Sequence, residues 1–222
     1  MKELRMTRIG EHFYNPLRQI EVQKHNLQIW PGYTTAIHEF EDGLFLVVDV
    51  THKILRCLTC WELLNNIYQR TNGNRDRFKE EAEKALVGNI VLTRYNNRSL
   101  KVDEIIWNDN PKSTFNCHGE EITYISYYKQ HYNIQIKDDC QPLLLHRLKK
   151  KKSASPTQVA DEKPDVICLI PELCFLTGLS EDIKNDNQLK RELASMARLT
   201  PSALVDQLRS FVETVKTKEK AY

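Results

Sequence analysis

Two runs of alternating apolar and polar residues lie between Asn26 and Leu58, and the turn signal EFEDGL separates them. Strand-like runs on both sides of a short turn that contains Asp-Gly are typical of a β-hairpin. The pattern therefore predicts a hairpin with Asp42 and Gly43 at its tip.

The hydrophobic period then changes from that of a strand to that of a helix. Trp61, Leu64 and Tyr68 recur at helical spacing after Thr59, and Glu62 stands three residues beyond that threonine. A threonine followed at this distance by glutamate predicts a helix that begins with a capping box. The stretch DRFKEEAEKALVG predicts a second helix, which ends before its glycine.

Short strand-like runs follow, separated for the most part by polar turn clusters. They are NIVLTRY, LKVDEIIW, EITYI, NIQIK and PLLLHRL. Strands of this length and spacing predict a small closed or half-closed β-barrel. Further on, VICLIPELCFLTGL predicts a strand that turns at Pro171 into a short helix, and the remaining residues predict two helices, the second capped by Thr200.

The segment from residue 149 to 165 has a different composition. It begins with four consecutive lysines and continues with small residues, charged residues and two prolines. This composition predicts a mobile basic surface loop.

Charge and cysteine content limit the classes of function. The 222 residues contain 32 Lys+Arg and 30 Asp+Glu, a formal charge of +2, so any attraction for nucleic acid must come from a local patch. The longest apolar run, LFLVVDV, is too short to span a bilayer, and we find no signal peptide at the N-terminus. We expect a cytoplasmic protein, with perinuclear granules or the nucleus as other locations, that holds its six cysteines as reduced thiols and does not bind membranes.

Cysteine spacing offers one alternative function. Cys57 and Cys60 have the spacing of half a zinc site or of a redox dithiol, and the nearest further pair is Cys117 with His118. Those two are adjacent, which fits poorly with the usual gap between zinc ligands. We also find no phosphate-binding glycine loop, no nucleophile elbow and no pair of carboxylates placed for acid-base catalysis. The sequence therefore predicts no catalytic residue, no metal site and no cofactor.

Tyrosine is concentrated in the stretch ITYISYYKQHYNIQIK, which holds four of the nine tyrosines in the chain. Aromatic rings next to cations are how proteins hold single-stranded nucleic acid, and a phenol also offers a hydroxyl to a phosphate oxygen. The alternative is that these rings belong to the core, and composition alone does not decide between the two.

Taken together, four motifs carry a family resemblance. In their order and spacing, these motifs resemble the PAZ domain of PIWI-clade Argonaute proteins. The motifs are LVGNIVLTRYNN, NPKSTF, EITYISYYKQHYNIQIKDDCQPLL and LIPELCFLTGL. The resemblance implies an α+β fold, an OB-like small β-barrel with an inserted β-hairpin and helix. Its implied limits are 1–60 for a first linker, 61–179 for the PAZ domain and 180–222 for the start of a second, helical linker.

The resemblance also implies a function and a set of site residues. The function is to anchor the 2′-O-methylated 3′ end of a piRNA guide, in a germline pathway that silences transposons, without catalysis by this chain. The implied partners are single-stranded small RNA and the remaining Argonaute domains, with the chain itself monomeric. The implied RNA-binding residues are Tyr95, Arg98, Lys101, Phe115, Tyr127, Tyr128, Lys129, Tyr132, Cys168 and Ile170.

Two details of this site depart from the family or stay open. Family members usually have Tyr-Arg where this chain has Leu100 and Lys101, which removes one hydroxyl and replaces a bidentate cation by a point charge. On a continuous helix Tyr127 and Tyr132 point roughly 140° apart. Either the helix ends near His131, or Tyr128 replaces Tyr127 as the phosphate contact.

Two further functions remain as alternatives to RNA binding. In one, the chain is a protein-interaction fragment whose hairpin and terminal helices dock other Argonaute domains. In the other, it is a metal or redox enzyme built on Cys57 and Cys60.

Overall fold

A computed structural model describes residues 6–117, 119–148, 166–179 and 181–219 of the chain. The predicted basic loop at 149–165 and His118 lie outside the described residues. The chain divides into two compact units, one formed by Met1–Cys57 with Thr177–Tyr222 and the other by Leu58–Leu176.

The described residues form thirteen strands and six α-helices. The strands are β1 (Thr7–Ile9), β2 (His12–Tyr14), β3 (Ile20–Val22), β4 (Leu27–Phe40), β5 (Gly43–Thr59), β6 (Ile90–Thr93), β7 (Arg98–Lys101), β8 (Glu104–Ile106), β9 (Thr114–Cys117), β10 (Glu120–Thr123), β11 (Leu143–Arg147), β12 (Val166–Leu169) and β13 (Cys174–Thr177). The helices are α1 (Cys60–Arg70), α2 (Arg75–Leu86), α3 (Tyr124–Tyr132), α4 (Glu181–Asn185), α5 (Asn187–Ala197) and α6 (Pro201–Glu219). Within the described residues, no helix is both long enough and apolar enough to cross a membrane.

The long hairpin predicted from the alternating pattern is present in the first unit. Strands β4 and β5 pair without interruption from Leu27 opposite Arg56 to Phe40 opposite Gly43. Gly43 has a φ of +124°, which an L side chain rarely adopts, so the turn requires glycine. Strands β2 and β3 each pair with β4, and β1 pairs with β2.

Apolar faces of the sheet and the C-terminal helices form the core of this unit. Leu27 and Ile29 of β4 pack with Leu189 and Leu193 of α5. The predicted start of α6 at Thr200 and Pro201 is confirmed, because the Thr200 hydroxyl accepts a hydrogen bond from the Ala203 amide at 3.3 Å.

The barrel of the second unit is built from two sets of three antiparallel strands. One has the order β13-β6-β7 and the other β12-β11-β8. Val91 and Leu176 of the first sheet share a buried core with Leu144 and Leu169 of the second, and Leu64 of α1 closes it. This arrangement confirms the predicted α+β class with a small antiparallel barrel.

The capping box at the start of α1 is also confirmed. The Thr59 hydroxyl accepts a hydrogen bond from the Glu62 amide at 3.1 Å, and the Glu62 carboxylate accepts one from the Thr59 amide at 2.7 Å. These bonds satisfy amides that a helix start otherwise leaves unpaired.

An inserted module separates β8 from β11 along the chain and consists of the hairpin β9–β10 followed by α3. The run EITYI, predicted as a strand throughout, is a strand only to Thr123. The Thr123 hydroxyl accepts a hydrogen bond from the Ser126 amide at 3.2 Å, which caps α3 and starts the helix at Tyr124. The tyrosine-rich stretch is therefore mostly helical.

One other expectation about strands is wrong, and one expected short helix is a single turn. The run NIQIK, at 133–137, forms no strand, because Asn133 ends α3 in the left-handed conformation with φ +52° and the Lys137 amide donates to the Glu172 carboxylate at 3.0 Å. The helix expected after Pro171 has only three residues, Pro171–Leu173, and the apolar residues after it form β13, which pairs with β6.

Candidate nucleic-acid interface

An open cleft of about 420 Å³ lies on the second unit, beside the inserted module. It collects side chains from the turn after β6, from β7, β9 and α3, and from β12. The lining residues are Tyr95, Asn96, Arg98, Phe115, Asn116, Tyr124, Tyr127, Tyr128, Tyr132, Val166, Ile167 and Cys168. We call it the phenol cleft.

Tyr95 joins the barrel to α3 through ring contacts. Its ring centroid lies 5.2 Å from that of Tyr128 and 4.7 Å from that of Tyr132, both in edge-to-face geometry. Such pairs add stabilisation beyond the area they bury. The barrel strand before Tyr95 thereby positions the helix that carries the other phenols.

Tyr128 is turned inward. Only 3% of it is exposed, and its hydroxyl lies 3.0 Å from the Tyr95 hydroxyl, within hydrogen-bond distance. Burial raises the pKa of both phenols well above the ordinary value of tyrosine. Both groups therefore stay neutral, and the hydroxyl of Tyr128 is engaged inside the protein.

Tyr127 and Tyr132 both line the cleft although they are five positions apart along the chain. Their ring centroids are 6.2 Å apart, and both side chains are partly exposed. Burial, followed by the neighbouring Tyr132 phenol, raises the pKa of Tyr127. Tyr132 is the last residue of α3, so a long phenol at the helix end can lean toward Tyr127. Of the two phenols between which the sequence left the choice open, Tyr127 is the partly exposed one and Tyr128 the buried one.

Phe115 stands on β9, in the hairpin of the inserted module. Its ring stacks on that of Tyr124, with centroids 4.6 Å apart and planes inclined by 21°, and meets Tyr127 edge-on at 5.5 Å. The ring is partly exposed and lines the cleft. It therefore extends an aromatic wall that begins on α3.

Arg98 supplies positive charge at the cleft. It is exposed at the start of β7, and its charge acts on Tyr127, where it opposes the rise in the phenol pKa. Among the lining residues that the structure describes, Arg98 carries the permanent positive charge. A guanidinium beside two partly exposed hydroxyls is a suitable donor set for a phosphate group.

Three of the residues expected at the site do not line this cleft. Lys101 is three residues beyond Arg98 on the same strand, which puts it on the other face, and its ammonium lies 3.5 Å from the Asp103 carboxylate. Lys129 is exposed two residues after Tyr127, roughly 200° further around the helix. Ile170 is fully buried beneath the phenols with Leu143, so it supports the cleft from inside.

Five lining residues were not among the expected ones, namely Asn96, Asn116, Tyr124, Val166 and Ile167. Tyr124 belonged to the tyrosine-rich stretch and is three residues before Tyr127, so helical spacing was a usable signal. Val166 is two residues before Cys168, and residues two apart on a strand lie on the same face, so strand alternation was a second usable signal. The two asparagines stand in turn and hairpin positions, where polar residues are common, and no signal singled them out.

Neither cysteine of the pair that offered an alternative function forms a disulfide. Cys57 is partly buried and Cys60 is fully buried in the barrel core beside Leu64. Burial raises the pKa of Cys174 in the same core, with the nearby Cys60 as a second cause, so that thiol stays protonated. Protonated buried thiols are poor nucleophiles and poor metal ligands.

Comparison with known proteins gives consistent matches. The PAZ domain family matches residues 61–200. The chain is 37% identical over 220 residues to Piwi-like protein 1 of Gallus gallus, covering 99% of this chain and 24% of that protein. It is 40% identical over 215 residues to protein argonaute-3 of Drosophila melanogaster, covering 97% of this chain and 24% of that protein.

A solved structure agrees with these relatives. The crystal structure of Drosophila Piwi matches with a TM-score of 0.63 and 30% sequence identity, covering 97% of this chain and 25% of that one. The chain thus spans about a quarter of the length of the proteins that it matches.

Proposed function

Because this chain belongs to the PAZ domain family, and is related along nearly all its length to Piwi proteins, we propose that its phenol cleft binds the 3′ end of a single-stranded small RNA. The single observation that carries the proposal is the convergence of Tyr95, Tyr127 and Tyr132 with Arg98 on one open cleft. The family match makes binding of small-RNA ends the expected task, and the cleft offers the chemistry for it.

In this proposal the hydroxyls of Tyr127 and Tyr132 donate to the last phosphodiester group, and Arg98 neutralises its charge. Hydrogen bonds to a charged acceptor are about twice as strong as neutral ones. Phe115 contacts the last base or sugar by stacking, which accepts any base. The cleft volume of about 420 Å³ suits one small ligand and not a longer strand.

We further propose that the preferred end is that of a piRNA, whose last ribose carries a 2′-O-methyl group. Val166, Ile167 and Cys168 give the β12 side of the cleft an apolar lining. A methyl group placed against such a lining is removed from water, which is worth up to roughly 0.8 kcal/mol. The methylated end should therefore bind a few-fold more tightly than the free hydroxyl.

A second candidate function is the docking of other protein domains, and the tip of the long hairpin favours it. Ile37 of β4 is 73% exposed, and Leu46, which pairs with it on β5, is 52% exposed. Leu44, two residues before Leu46 on the same strand, is 74% exposed. Exposed apolar patches mark interaction surfaces. This function predicts capture by the remaining domains of an Argonaute protein without any affinity for RNA.

The test compares short labelled RNAs of one sequence by fluorescence anisotropy. They carry an open 3′ end, a 2′-O-methylated end or a 3′-phosphate, and one is circular. A cleft that receives a terminal sugar should bind the RNAs with an open 3′ end, with or without the methyl group. The circular RNA and the 3′-phosphorylated RNA should bind only with non-specific affinity, because the first has no end and a 3′-phosphate brings a second charge that is costly to desolvate. Equal affinities for all four would contradict end binding, and equal affinities for the two open ends would contradict only the methyl preference.

A further inference from the structure

A second cleft of about 290 Å³ lies on the same unit and shares no lining residue with the phenol cleft. Four of its seven lining residues are aromatic. They are Trp61 and Tyr68 of α1, Phe78 of α2, and Trp107 just after β8, and Asn65, Cys140 and Pro142 complete the wall. We call it the aromatic cleft. The proposed RNA function does not use it.

The rings of the aromatic cleft stand at steep angles to one another. Tyr68 and Phe78 meet at 90° with centroids 5.4 Å apart, and Phe78 and Trp107 meet at 66° with centroids 5.3 Å apart. Tyr68 remains 52% exposed. Rings at such angles enclose a corner, and the negatively polarised face of an aromatic ring attracts a cation placed over it.

Charges around this cleft are complementary to a cation. The Trp107 indole donates to the Glu83 carboxylate at 3.2 Å. The thiol of the lining residue Cys140 donates to the Asp139 carboxylate at 3.3 Å, and a carboxylate oxygen of Asp138 lies within 4.8 Å of both groups. This hydrogen bond raises the pKa of Cys140, as expected where negative charge is concentrated. Carboxylates therefore flank the rings without entering the lining.

Two lysines contact these groups. The Lys112 ammonium lies 2.7 Å from the Asp139 carboxylate and is paired with it. The Lys79 ammonium lies 5.8 Å from the centroid of the Trp107 ring, within the range of a cation–π interaction. The protein thus already places one of its own cations over a ring of this cleft.

We propose that the aromatic cleft is a binding site for an N-methylated lysine side chain of a protein partner. An ordinary ammonium needs three hydrogen-bond acceptors, and none of the described lining residues carries a carboxylate that could accept from it. Methylation removes those donors and keeps the charge, so the methylated cation loses little on leaving water. Aromatic faces recognise such methylated cations.

Nucleic acid is the less suitable occupant of the aromatic cleft. Its rings could stack on a base, but Glu83, Asp138 and Asp139 would face the phosphates that accompany the base. Carboxylates near a phosphate raise the cost of binding, whereas they lower it for a cation.

The experiment titrates the intact chain, without RNA, with N-acetyl-trimethyllysine methylamide. Intrinsic fluorescence is the readout, since two of the three tryptophans line the cleft. The matched control ligand has a carbon in place of the charged nitrogen and hence the same shape without charge. The cation should bind about 5-fold to 30-fold more tightly than this isostere. Equal binding of the two, no saturation at millimolar concentration, or competition by a short RNA would overturn the proposal.

Protein variants separate recognition from folding. Tyr68→Ala removes a half-exposed ring and should abolish the preference for the cation, while Tyr127→Ala in the phenol cleft should leave it unchanged. Lys79→Ala removes the cation that the protein itself places over Trp107 and should tighten binding of the ligand. A gain in affinity cannot come from misfolding. Weaker binding by a Lys79→Ala protein that unfolds at the same temperature as wild type would overturn the proposal.

Discussion

At the scale of single residues, burial distinguishes Tyr128 from Tyr127 and Tyr132 in the phenol cleft. Tyr127 and Tyr132 present partly exposed rings to it, whereas Tyr128 is buried and its hydroxyl faces that of Tyr95. Hydroxyls that already bond inside the protein are less available to a ligand. The proposed phosphate contact therefore rests on Tyr127 and Tyr132.

Replacing these phenols one at a time tests that assignment. Tyr127→Phe and Tyr132→Phe should each weaken RNA binding by roughly 1.5 to 3 kcal/mol, because each removes a hydrogen bond to a charged acceptor and keeps the ring. Tyr128→Phe is the matched control and should leave RNA affinity nearly unchanged. Anisotropy titrations measure all three, and a larger loss for Tyr128→Phe than for Tyr127→Phe would reverse the assignment.

Tyr128 should instead control stability at alkaline pH. Burial raises its pKa in the folded protein above the ordinary value of 10.0, so above that pH the unfolded chain loses this proton and the folded protein keeps it. The free energy of unfolding must then fall as pH rises, by about 1.4 kcal/mol per pH unit for this one group. Tyr128→Phe removes that dependence.

Urea unfolding of wild type and Tyr128→Phe between pH 9 and 11.5 measures the difference. We expect parallel curves below about pH 10 and a shallower decline for the variant above it. Parallel curves over the whole range would show that Tyr128 ionises in the folded protein, and hence that its hydroxyl is accessible.

At the scale of elements, the inserted module supplies most of the aromatic rings of the phenol cleft. Phe115 comes from its hairpin and four tyrosines come from α3, and the stacking of Phe115 on Tyr124 joins the two elements. A wall made from two elements holds its shape only while both are packed together.

Phe115→Ala should weaken RNA binding by about 1 to 3 kcal/mol through loss of one stacking contact. Phe115→Leu is the matched control, because it keeps an apolar side chain against Tyr124 without offering a ring to a base. If the role of Phe115 is stacking, both variants lose affinity. If leucine restores wild-type affinity, the ring acts only by supporting α3, and thermal unfolding of each variant should be recorded beside the titrations.

At the scale of the whole molecule, the small net charge of +2 limits non-specific attraction for RNA. Each phosphate neutralised on a single strand contributes about −0.7 to the slope of log K against log salt. Deleting residues 149–165 removes the four lysines at 149–152 and should flatten this slope without removing the preference for an open 3′ end. Titrations at several salt concentrations measure the slope, and a lost end preference would assign the segment to the cleft itself.

Much of the fold followed from the sequence alone. The alternation up to Leu58, the Asp-Gly turn and the Thr59–Glu62 capping pair are local signals, and the hairpin and α1 that they predicted are present. Motif order and spacing were enough to identify the PAZ family and the α+β barrel. Local signals suffice in these cases because each depends on residues a few positions apart along the chain.

Tertiary structure decided the rest. Whether 133–137 forms a strand depended on a hydrogen bond from Lys137 to Glu172, 35 residues away, and β13 depended on pairing with β6. At the phenol cleft the sequence supplied the tyrosines, but burial against Tyr95 decided which hydroxyl turns inward. The aromatic cleft had no signal at all, because its rings come from α1, α2 and the residues after β8, and only packing of those elements brings them together.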